Sequence, residues 1–220
     1  MNILFVGSSS FIANLLKKKI KHKICGITSS KKKSKNTYNI DSYSEKSISK
    51  AINFFKKKNI SFDCIIFFNG YHKMSLLSFF NENLFNEIFQ KNLILPIKIN
   101  SLIMNKHILN HNCSIIFVGS IAAELNEIGN AYYSLSKLML EKCVKILSFE
   151  QKKKLRFNLV SLGLVKNKVS KDLIKNLPSN YKNKHNFIKN ELIIKKFKNL
   201  IEDKKVKNRI IKIHGNYKKN

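Results

Sequence analysis

The chain has no tryptophan, two prolines and seven glycines, and lysine supplies nearly all of its positive charge. Basic residues outnumber acidic residues 42 to 13, which gives a formal net charge of +29. Such a charge suits nucleic acid or an anionic membrane, but proteins that read nucleic acid favour arginine for its bidentate contacts. The only arginines are Arg156 and Arg209, and the lysines are spread along the whole chain. We therefore expect a general affinity for polyanions and no specific nucleic-acid partner.

Cysteine and long apolar runs are also scarce. None of the four cysteines stands in a CxxC pair or at a metal-ligand spacing, and the six histidines do not cluster. No run of 18 apolar residues is present to cross a bilayer, and the chain starts at once with a strand pattern instead of a signal peptide. These absences predict no metal site, no membrane span and a cytoplasmic protein with reduced thiols.

Short apolar runs alternate with amphipathic stretches along the whole chain. Strands are predicted at 2–6, 24–28, 37–40, 64–68, 114–118, 156–160 and 209–214. Helices are predicted at 11–20, 43–58, 79–90, 92–107, 130–149 and 191–202. This alternation indicates an α/β fold with a parallel sheet covered by helices on both faces. The length and a hydrophobic content of 44% suit a single domain over residues 1–220.

The most informative stretch holds Ser120 at the end of a predicted strand, Tyr133 after twelve further residues, and Lys137 four positions later. Residues four apart on a helix lie on one face, and a nearby ammonium lowers the pKa of a phenol because it favours the phenolate. Tyr133 is thus a candidate proton donor and acceptor, with Ser120 to hold a carbonyl oxygen beside it. Tyr132 is the weaker candidate, since Ser136 stands four positions after it. Taken alone, the tyrosine–lysine pair favours a purely structural helix with a half-buried tyrosine and a solvated lysine.

Asn92 lies 28 residues before Ser120 and completes a set of four that resembles the short-chain dehydrogenase/reductase family. The resemblance covers nearly the whole chain and implies a Rossmann-type, doubly wound sheet with a nicotinamide cofactor. It implies that Tyr133 is the general acid–base and that Lys137 lowers its pKa and binds the nicotinamide ribose. It also implies that Ser120 orients the substrate oxygen and that Asn92 holds a water linking Lys137 to solvent.

The cofactor contacts that the resemblance implies follow the ends of predicted strands. The turn at 7–13 resembles the TGxxxGIG phosphate-binding turn, although Phe11 replaces its second glycine. The family's acid after the third strand aligns with Asp41, its NNAG segment with 67–70, and its PG segment with 161–165. The expected cofactor-binding residues are Gly7, Ser9, Ser10, Phe11, Ile12, Ser30, Lys31, Asp41, Asn69, Gly70, Tyr133, Lys137, Gly163 and Val165.

The end of the second predicted strand bears on the choice between NAD and NADP. An acid there binds the ribose hydroxyls of NAD, whereas a basic group suits the 2′-phosphate of NADP. Residues 28–33 read Thr-Ser-Ser-Lys-Lys-Lys without an acid, which favours NADP(H) over NAD(H). A solvated lysine run is the other interpretation of the same residues. Residues 30–36 are too few for a full helix, so the helix between strands two and three is expected to be missing.

The leading interpretation is an NAD(P)H-dependent oxidoreductase that interconverts a carbonyl and a secondary alcohol by Ser–Tyr–Lys catalysis. Two substrates remain open, a 3-oxoacyl carrier thioester and a carbohydrate precursor of the cell surface. Residues 166–190 correspond to the family's substrate loop. The helices at 92–107 and 130–149 correspond to its dimer interface, so a homodimer or homotetramer is expected. The alternative is a non-catalytic relative that binds nucleotide or a partner, which the altered glycine turn favours.

Overall fold

A computed structural model of the protein describes residues 1–30, 36–151, 154–167, 170 and 186–215. Seven strands lie in these residues: β1 (Asn2–Val6), β2 (Lys23–Thr28), β3 (Thr37–Asn39), β4 (Phe62–Phe67), β5 (Leu109–Ser120), β6 (Arg156–Leu162) and β7 (Ile210–Ile213). They also contain the α-helices α1 (Phe11–Lys17), α2 (Glu45–Lys57), α3 (Glu82–Phe89), α4 (Leu95–Asn105), α5 (Ala131–Glu150) and α6 (Asn190–Glu202). A π turn (Gln90–Ile94) joins α3 to α4, and a 3₁₀ turn (Ile121–Glu124) follows β5. No helix in this described part combines the length and apolar surface that a membrane span requires.

The strands form one sheet in the order β3-β2-β1-β4-β5-β6-β7, and every neighbouring pair is parallel. Parallel neighbours need crossover connections, which helices supply. The direction of winding reverses at β1, whose neighbours are β2 and β4. The predicted α/β fold is therefore confirmed as a doubly wound, Rossmann-type sheet. Such sheets bind ligands outside the carboxyl ends of the strands, at the point of reversal.

Both faces of the sheet are covered, because alternate side chains of a strand point to opposite faces. Leu4 and Val6 of β1 pack into one core with residues of α2, α4 and α5. Ile3 and Phe5 pack into the other core with residues of α1 and α6. All four side chains are fully buried. Burial on both faces explains why the strands have continuous apolar sequences.

The helix predicted at 79–90 begins only at Glu82. Asn81 caps it, since the Asn81 Oδ1 accepts a hydrogen bond from Leu84 N at 2.9 Å. The backbone N of Asn81 donates in turn to the hydroxyl of Tyr132 at 2.8 Å. A long-range contact therefore sets this boundary, and residues 70–81, which form neither helix nor strand, make up an irregular strap after β4.

Two other boundaries also differ from prediction. The helix predicted at 92–107 is split, because its first residues lie in the π turn and α4 begins at Leu95. Pro96 does stand in the first turn of α4, as predicted. β5 extends from Leu109 to Ser120, so Cys113 lies inside this strand and not before it.

Two predicted features fall largely outside the described residues. The first is the segment between β2 and β3, where a helix is expected to be missing and where residues 31–35 are not described. The second is the predicted substrate loop at 166–190, most of which is not described. The ends of that loop are joined, because Val165 forms a parallel bridge with Ile188. Ile188 N also donates to Leu164 O at 2.9 Å. The loop therefore leaves and re-enters the fold at the carboxyl end of β6.

Candidate active site

The carboxyl ends of the strands meet at one edge of the sheet, and the predicted site residues follow these ends. Gly7 follows β1, Ser30 comes after β2, Asn69 after β4 and Gly163 after β6, while Ser120 is the last residue of β5. Residues far apart in the sequence are thus brought to one edge by the parallel order of the strands.

The turn after β1 passes close to β4. Gly7 has a φ of +77°, and a Cβ added there would stand 3.3 Å from the backbone of Phe68 and Asn69. Glycine is therefore required both for conformation and for space. Ser10 caps α1 by accepting a hydrogen bond from Ala13 N at 3.1 Å. The first N–H groups of α1 consequently lie at the edge of the sheet, where helices bind anions.

Hydroxyl groups connect this turn to the end of β2. Thr28 Oγ1 donates to Ser9 Oγ at 3.0 Å and accepts from Ser30 N at 3.1 Å. Thr28 was not identified from the sequence as a site residue. Ile12 packs against the core below the turn. Phe11, at the position of the family's second glycine, leaves 41% of its surface exposed and so does not fill the core.

Asn69 and Gly70 lie between this turn and the predicted catalytic residues. Asn69 Oδ1 is buried without a hydrogen-bond partner among the described residues. A buried acceptor without a donor is destabilising. A Cβ added to Gly70 would lie 3.8 Å from Lys137 Nζ and 4.0 Å from Asn92 Oδ1. The end of β4, the π turn and α5 therefore converge at Gly70.

The side chain of Ser120 lies close enough to the hydroxyl of Tyr133 to act on the pKa of that tyrosine. Ser120 is buried, and its Oγ also accepts from Ala122 N at 3.2 Å. Ser134 Oγ donates to Ala122 O at 2.5 Å, which holds the start of α5 against the turn after β5. These contacts fix the end of β5, which carries Ser120, relative to the start of α5, which carries Tyr133.

Lys137 is buried on the same side of α5 as Tyr133, with its Nζ 5.8 Å from the centre of the tyrosine ring. The ammonium donates a hydrogen bond to Val118 O at 3.0 Å. Burial lowers the pKa of Lys137 to about 8, because a charged group is penalised away from water. A lysine with this pKa can gain and lose a proton close to neutral pH.

The pKa of Tyr133 differs from the expectation that Lys137 lowers it. Burial raises the pKa of Tyr133, and the nearby Ser120 hydroxyl opposes this rise only in part. The penalty on a buried phenolate is the larger effect, while the ammonium of Lys137 is directed at Val118 O. The tyrosine is therefore held as a neutral phenol at neutral pH, the form that can donate a proton.

Asn92 lies fully buried in the π turn and connects two parts of the site. Its Oδ1 accepts from Tyr71 N at 2.6 Å, and its Nδ2 donates to Tyr71 O at 2.9 Å. Nδ2 also donates to Ser136 Oγ at 3.0 Å, and Ser136 Oγ donates to Tyr133 O at 2.7 Å. Asn92 thus ties the strap after β4 to the helix that carries Tyr133. A water held between Asn92 and Lys137 stays a prediction.

His72 is a second site residue that the sequence did not reveal. Its ring centre lies 4.8 Å from that of Tyr133, with the ring planes 77° apart. Its Nε2 lies 2.8 Å from Asn130 Oδ1. The available signal was its position just beyond the end of β4, where parallel sheets place functional groups. Tyr132, by contrast, is 1% exposed and packs among aromatic side chains away from the site.

Other predicted cofactor residues lie at the ends of further strands. Asp41 is exposed, two residues beyond β3. Gly163 N donates to Ile213 O at 2.9 Å, and Val165 is buried beside it. Lys31 lies outside the described residues. Contacts of these four residues with a cofactor stay predictions.

The described residues contain no cluster of side chains suited to binding a metal ion. Where the structure describes the chain, His, Cys, Asp and Glu side chains form no group of three or more that could hold an ion. The four cysteines are free thiols, and three of them are buried. The candidate site therefore consists of hydroxyl, amide, imidazole and ammonium groups.

Structures already solved share this fold over nearly the whole chain. A short chain dehydrogenase family protein from Francisella tularensis has a TM-score of 0.82 at 20% identity, with 98% of each chain covered. A short-chain dehydrogenase/reductase from Brucella melitensis, described as a glucose/ribitol dehydrogenase, has a TM-score of 0.86 at 16% identity, covering 98% of this chain and 95% of its own. A 4-hydroxyisoleucine dehydrogenase complexed with NADH has a TM-score of 0.74 at 18% identity, with 96% of each chain covered. At these identities the similarity shows the fold.

Membership of a family rests on the sequence itself. A comparison with curated proteins found no match. A scan against family models matches residues 7–178 to the family described as short chain dehydrogenase. This match spans the turn after β1, the end of β4, Ser120 and the whole of α5. The protein therefore belongs to the short-chain dehydrogenase family, whose members are in general NAD(P)-dependent oxidoreductases.

Proposed function

We propose that the protein interconverts a carbonyl compound and a secondary alcohol, with Tyr133 as the group that transfers the proton. The observation that carries this proposal is the pairing of the Ser120 and Tyr133 side chains beside the buried ammonium of Lys137. Two hydroxyls at the edge of the sheet can both contact one substrate oxygen. A buried cation next to them stabilises negative charge that develops there.

In the direction of reduction, Tyr133 donates its proton to the substrate oxygen while Ser120 holds the same oxygen by a hydrogen bond. Burial keeps the phenol protonated, so the donor form is present at neutral pH. Lys137 stabilises the phenolate that remains, because a nearby positive charge favours the charged form. With a pKa of about 8, Lys137 is also able to return a proton to the site. In the direction of oxidation the same groups act in reverse.

The residues of the crevice beside β1 fit a nicotinamide dinucleotide. The N–H groups at the start of α1 suit its diphosphate, and the close approach at Gly7 keeps the crevice free of a side chain. Gly70 leaves space beside Lys137 Nζ. When bound, the nicotinamide supplies or accepts the hydride, and the protein supplies orientation and electrostatics.

NADP(H) is the preferred cofactor in this proposal. The hydroxyls of Ser9 and Thr28 and the backbone N of Ser30 form a polar cluster at the end of β2, and residues 28–30 include no acid that would repel a 2′-phosphate. Lys31, which follows directly in the sequence, supplies the positive charge. The substrate stays open between a 3-oxoacyl carrier thioester and a carbohydrate precursor of the cell surface.

A homodimer that pairs through α5, or a homotetramer built from it, is proposed on the basis of exposed apolar residues. The helix exposes Leu135, Leu138, Met139, Ile146 and Phe149, each with 41% or more of its surface accessible. At 3.6 residues per turn these residues share the face of α5 opposite the catalytic pair. An open groove of about 350 Å³, lined in part by apolar loop side chains, continues this face. A wide apolar face of this kind favours a partner surface.

A reducing, cytoplasmic location is proposed from the thiols. Cys25, Cys64 and Cys113 are buried as free cysteines, and Cys143 is free and partly exposed. Free thiols persist where the surroundings keep them reduced. Burial raises the pKa of each of these cysteines, so none is activated as a nucleophile.

The chemistry is tested by replacing two neighbouring tyrosines. Tyr133→Phe removes the proton donor and is expected to lower kcat/KM for a reducible ketone by about a hundredfold or more. Its binding of NADPH should stay close to that of the wild type, since the variant keeps the ring of Tyr133 and every other expected cofactor contact. Tyr132→Phe is the matched control, because its hydroxyl only accepts from Asn81 N. A Tyr133→Phe enzyme that turns over at the wild-type rate contradicts the proposal.

A non-catalytic nucleotide-binding protein is the second candidate. Phe11 is the observation that favours it, because a side chain now stands where the family's turn has a glycine. This candidate predicts cofactor binding without turnover of any carbonyl compound or alcohol. Equal lack of activity in the wild type and in Tyr133→Phe, with retained binding of NADPH, would support it.

A further inference from the structure

A chain of hydrogen bonds leads from Glu127 to His72, whose ring contacts the ring of Tyr133. Asn130 Nδ2 donates to Glu127 Oε2 at 2.7 Å, and Asn130 Oδ1 lies 2.8 Å from His72 Nε2. The His72 ring then meets the Tyr133 ring edge to face at 4.8 Å. Asn130 is buried just before α5, so the chain is built into the site.

The carboxylate at the far end of the chain fixes which nitrogen of His72 carries the proton. An ionised carboxylate only accepts hydrogen bonds, so the Asn130 group facing Glu127 must be its NH₂. The group facing His72 is then the carbonyl oxygen, which also only accepts. His72 Nε2 must therefore be the N–H donor, and in the neutral ring Nδ1 is left as an acceptor.

Burial of the ring favours that neutral form. Desolvation lowers the pKa of His72, against smaller opposite effects of Asn130 and Glu127. Since the ordinary value is 6.5, the ring is uncharged near pH 7. Among the described residues no group bonds Nδ1, and this atom is not among the fully buried polar atoms that lack a partner. A lone pair is thus accessible beside the proposed acid–base residue.

The strap that carries His72 is held by hydrogen bonds of residues before and after His72 in the sequence. The backbone of Tyr71 makes two hydrogen bonds to the Asn92 side chain. Ser75 N donates to Gly129 O at 2.9 Å, which ties the strap to the loop before α5. His72 is therefore placed by several contacts and does not depend on its own side chain for position. Such support is what a recognition group needs in order to discriminate between ligands.

From this geometry we infer that His72 is a specificity-determining residue that presents Nδ1 as an acceptor to the substrate. The substrate class is then a hydroxy-carbonyl compound, or the corresponding vicinal diol, with a hydroxyl donor next to the reacting carbon. A ligand without that hydroxyl leaves Nδ1 unpaired, and a site built to hydrogen-bond a hydroxyl rejects such analogues strongly. The inference rests on the proposed function, since it assigns the substrate of the same site.

Kinetics with paired ketones test the inference. Acetoin is compared with butanone, and hydroxyacetone with acetone, using NADPH and following its oxidation. The wild type is expected to favour the hydroxy compound of each pair. His72→Phe keeps an aromatic ring against Tyr133 and should reduce the ratio of the two kcat/KM values by about tenfold. His111→Phe is the matched control, because His111 is exposed near the far end of β5.

A measurement without turnover separates this inference from the proposed function. Protein labelled with ¹⁵N-histidine is studied by NMR, and the His72 signals are assigned by their loss in His72→Phe. The inference predicts an Nε2–H tautomer and an Nδ1 signal that moves when acetoin is added but not when butanone is added. An Nδ1–H tautomer, or equal responses to both ketones, overturns it. Absence of turnover with a selective Nδ1 response contradicts the proposed chemistry while supporting the role of His72.

Discussion

At the scale of single residues, burial decides the chemistry of the candidate site more than the spacing of charges does. Helix geometry places Tyr133 and Lys137 on one side of α5, as their spacing predicted, while Ser120 is placed by the end of β5. The spacing did not predict the direction of the tyrosine's pKa shift, because the degree of burial depends on packing by distant residues. The tyrosine is held neutral by burial, and the lysine is brought to a pKa of about 8 by the same cause.

Lys137→Met is predicted to stabilise the protein near neutral pH while it abolishes turnover. The folded-state pKa of about 8 lies below the ordinary 10.5, so burying the ammonium costs roughly 3 kcal/mol. Removing its hydrogen bond to Val118 O loses about 1 kcal/mol. The net gain in the free energy of unfolding is therefore about 2 kcal/mol at pH 7.

The pH dependence of this gain follows from linkage. Between pH 8 and pH 10.5 the unfolded state binds more protons at Lys137 than the folded state, so the wild type gains stability as pH rises. The advantage of Lys137→Met should shrink over that range, and chemical denaturation at several pH values measures it. A variant that is less stable than the wild type at pH 7 argues against a buried ammonium.

At the scale of elements, long-range contacts set the helix boundaries that the local sequence pattern predicted wrongly. Apolar residues at 79–80 extended the helical pattern, but α3 begins after Asn81 because Tyr132 anchors that residue. The π turn around Asn92 was also unpredicted, since it arises where the Asn92 side chain binds the backbone of Tyr71. Both contacts join segments more than twenty residues apart, which local patterns do not report.

The exposed face of α5 leads to a prediction about assembly. Leu138→Glu places a charge in the centre of the apolar face and should weaken the proposed dimer by about tenfold or more, because a buried unpaired charge is strongly unfavourable. Leu192→Glu on α6 is the control, since that leucine is 37% exposed on the other side of the sheet. Sedimentation over a range of concentrations measures the assembly. Equal sedimentation of both variants and the wild type would remove the support for pairing through α5.

At the scale of the whole molecule, the alternation of apolar and amphipathic segments was sufficient to predict the fold. It predicted the parallel sheet because strands buried on both faces have continuous apolar sequences. The site was predicted in part, through residues whose identity and spacing carry a signal. Ser136, His72 and Asn130 were missed because their roles exist only once the strap and α5 are packed together.

The large positive charge of the molecule has no corresponding arginine-lined surface. Arg156, one of the two arginines, is buried and donates to the carbonyl oxygens of Asn112, Asp203 and Val206. It therefore ties the amino end of β6 to the segment after α6 and serves the fold. Binding to polyanions is accordingly expected to be non-specific and weakened by salt.

Cofactor binding tests the central claim most directly. Thermal unfolding is followed at moderate salt with NADPH, NADH or tripolyphosphate, which controls for the positive charge of the protein. The account predicts a larger rise in Tm with NADPH than with NADH, and a rise with both above that of tripolyphosphate. At a hundredfold excess over Kd the stabilisation is about 2.7 kcal/mol, which is several degrees for a domain of this size. No rise beyond tripolyphosphate would mean that the turn around Phe11 does not admit a dinucleotide, and it would contradict the account.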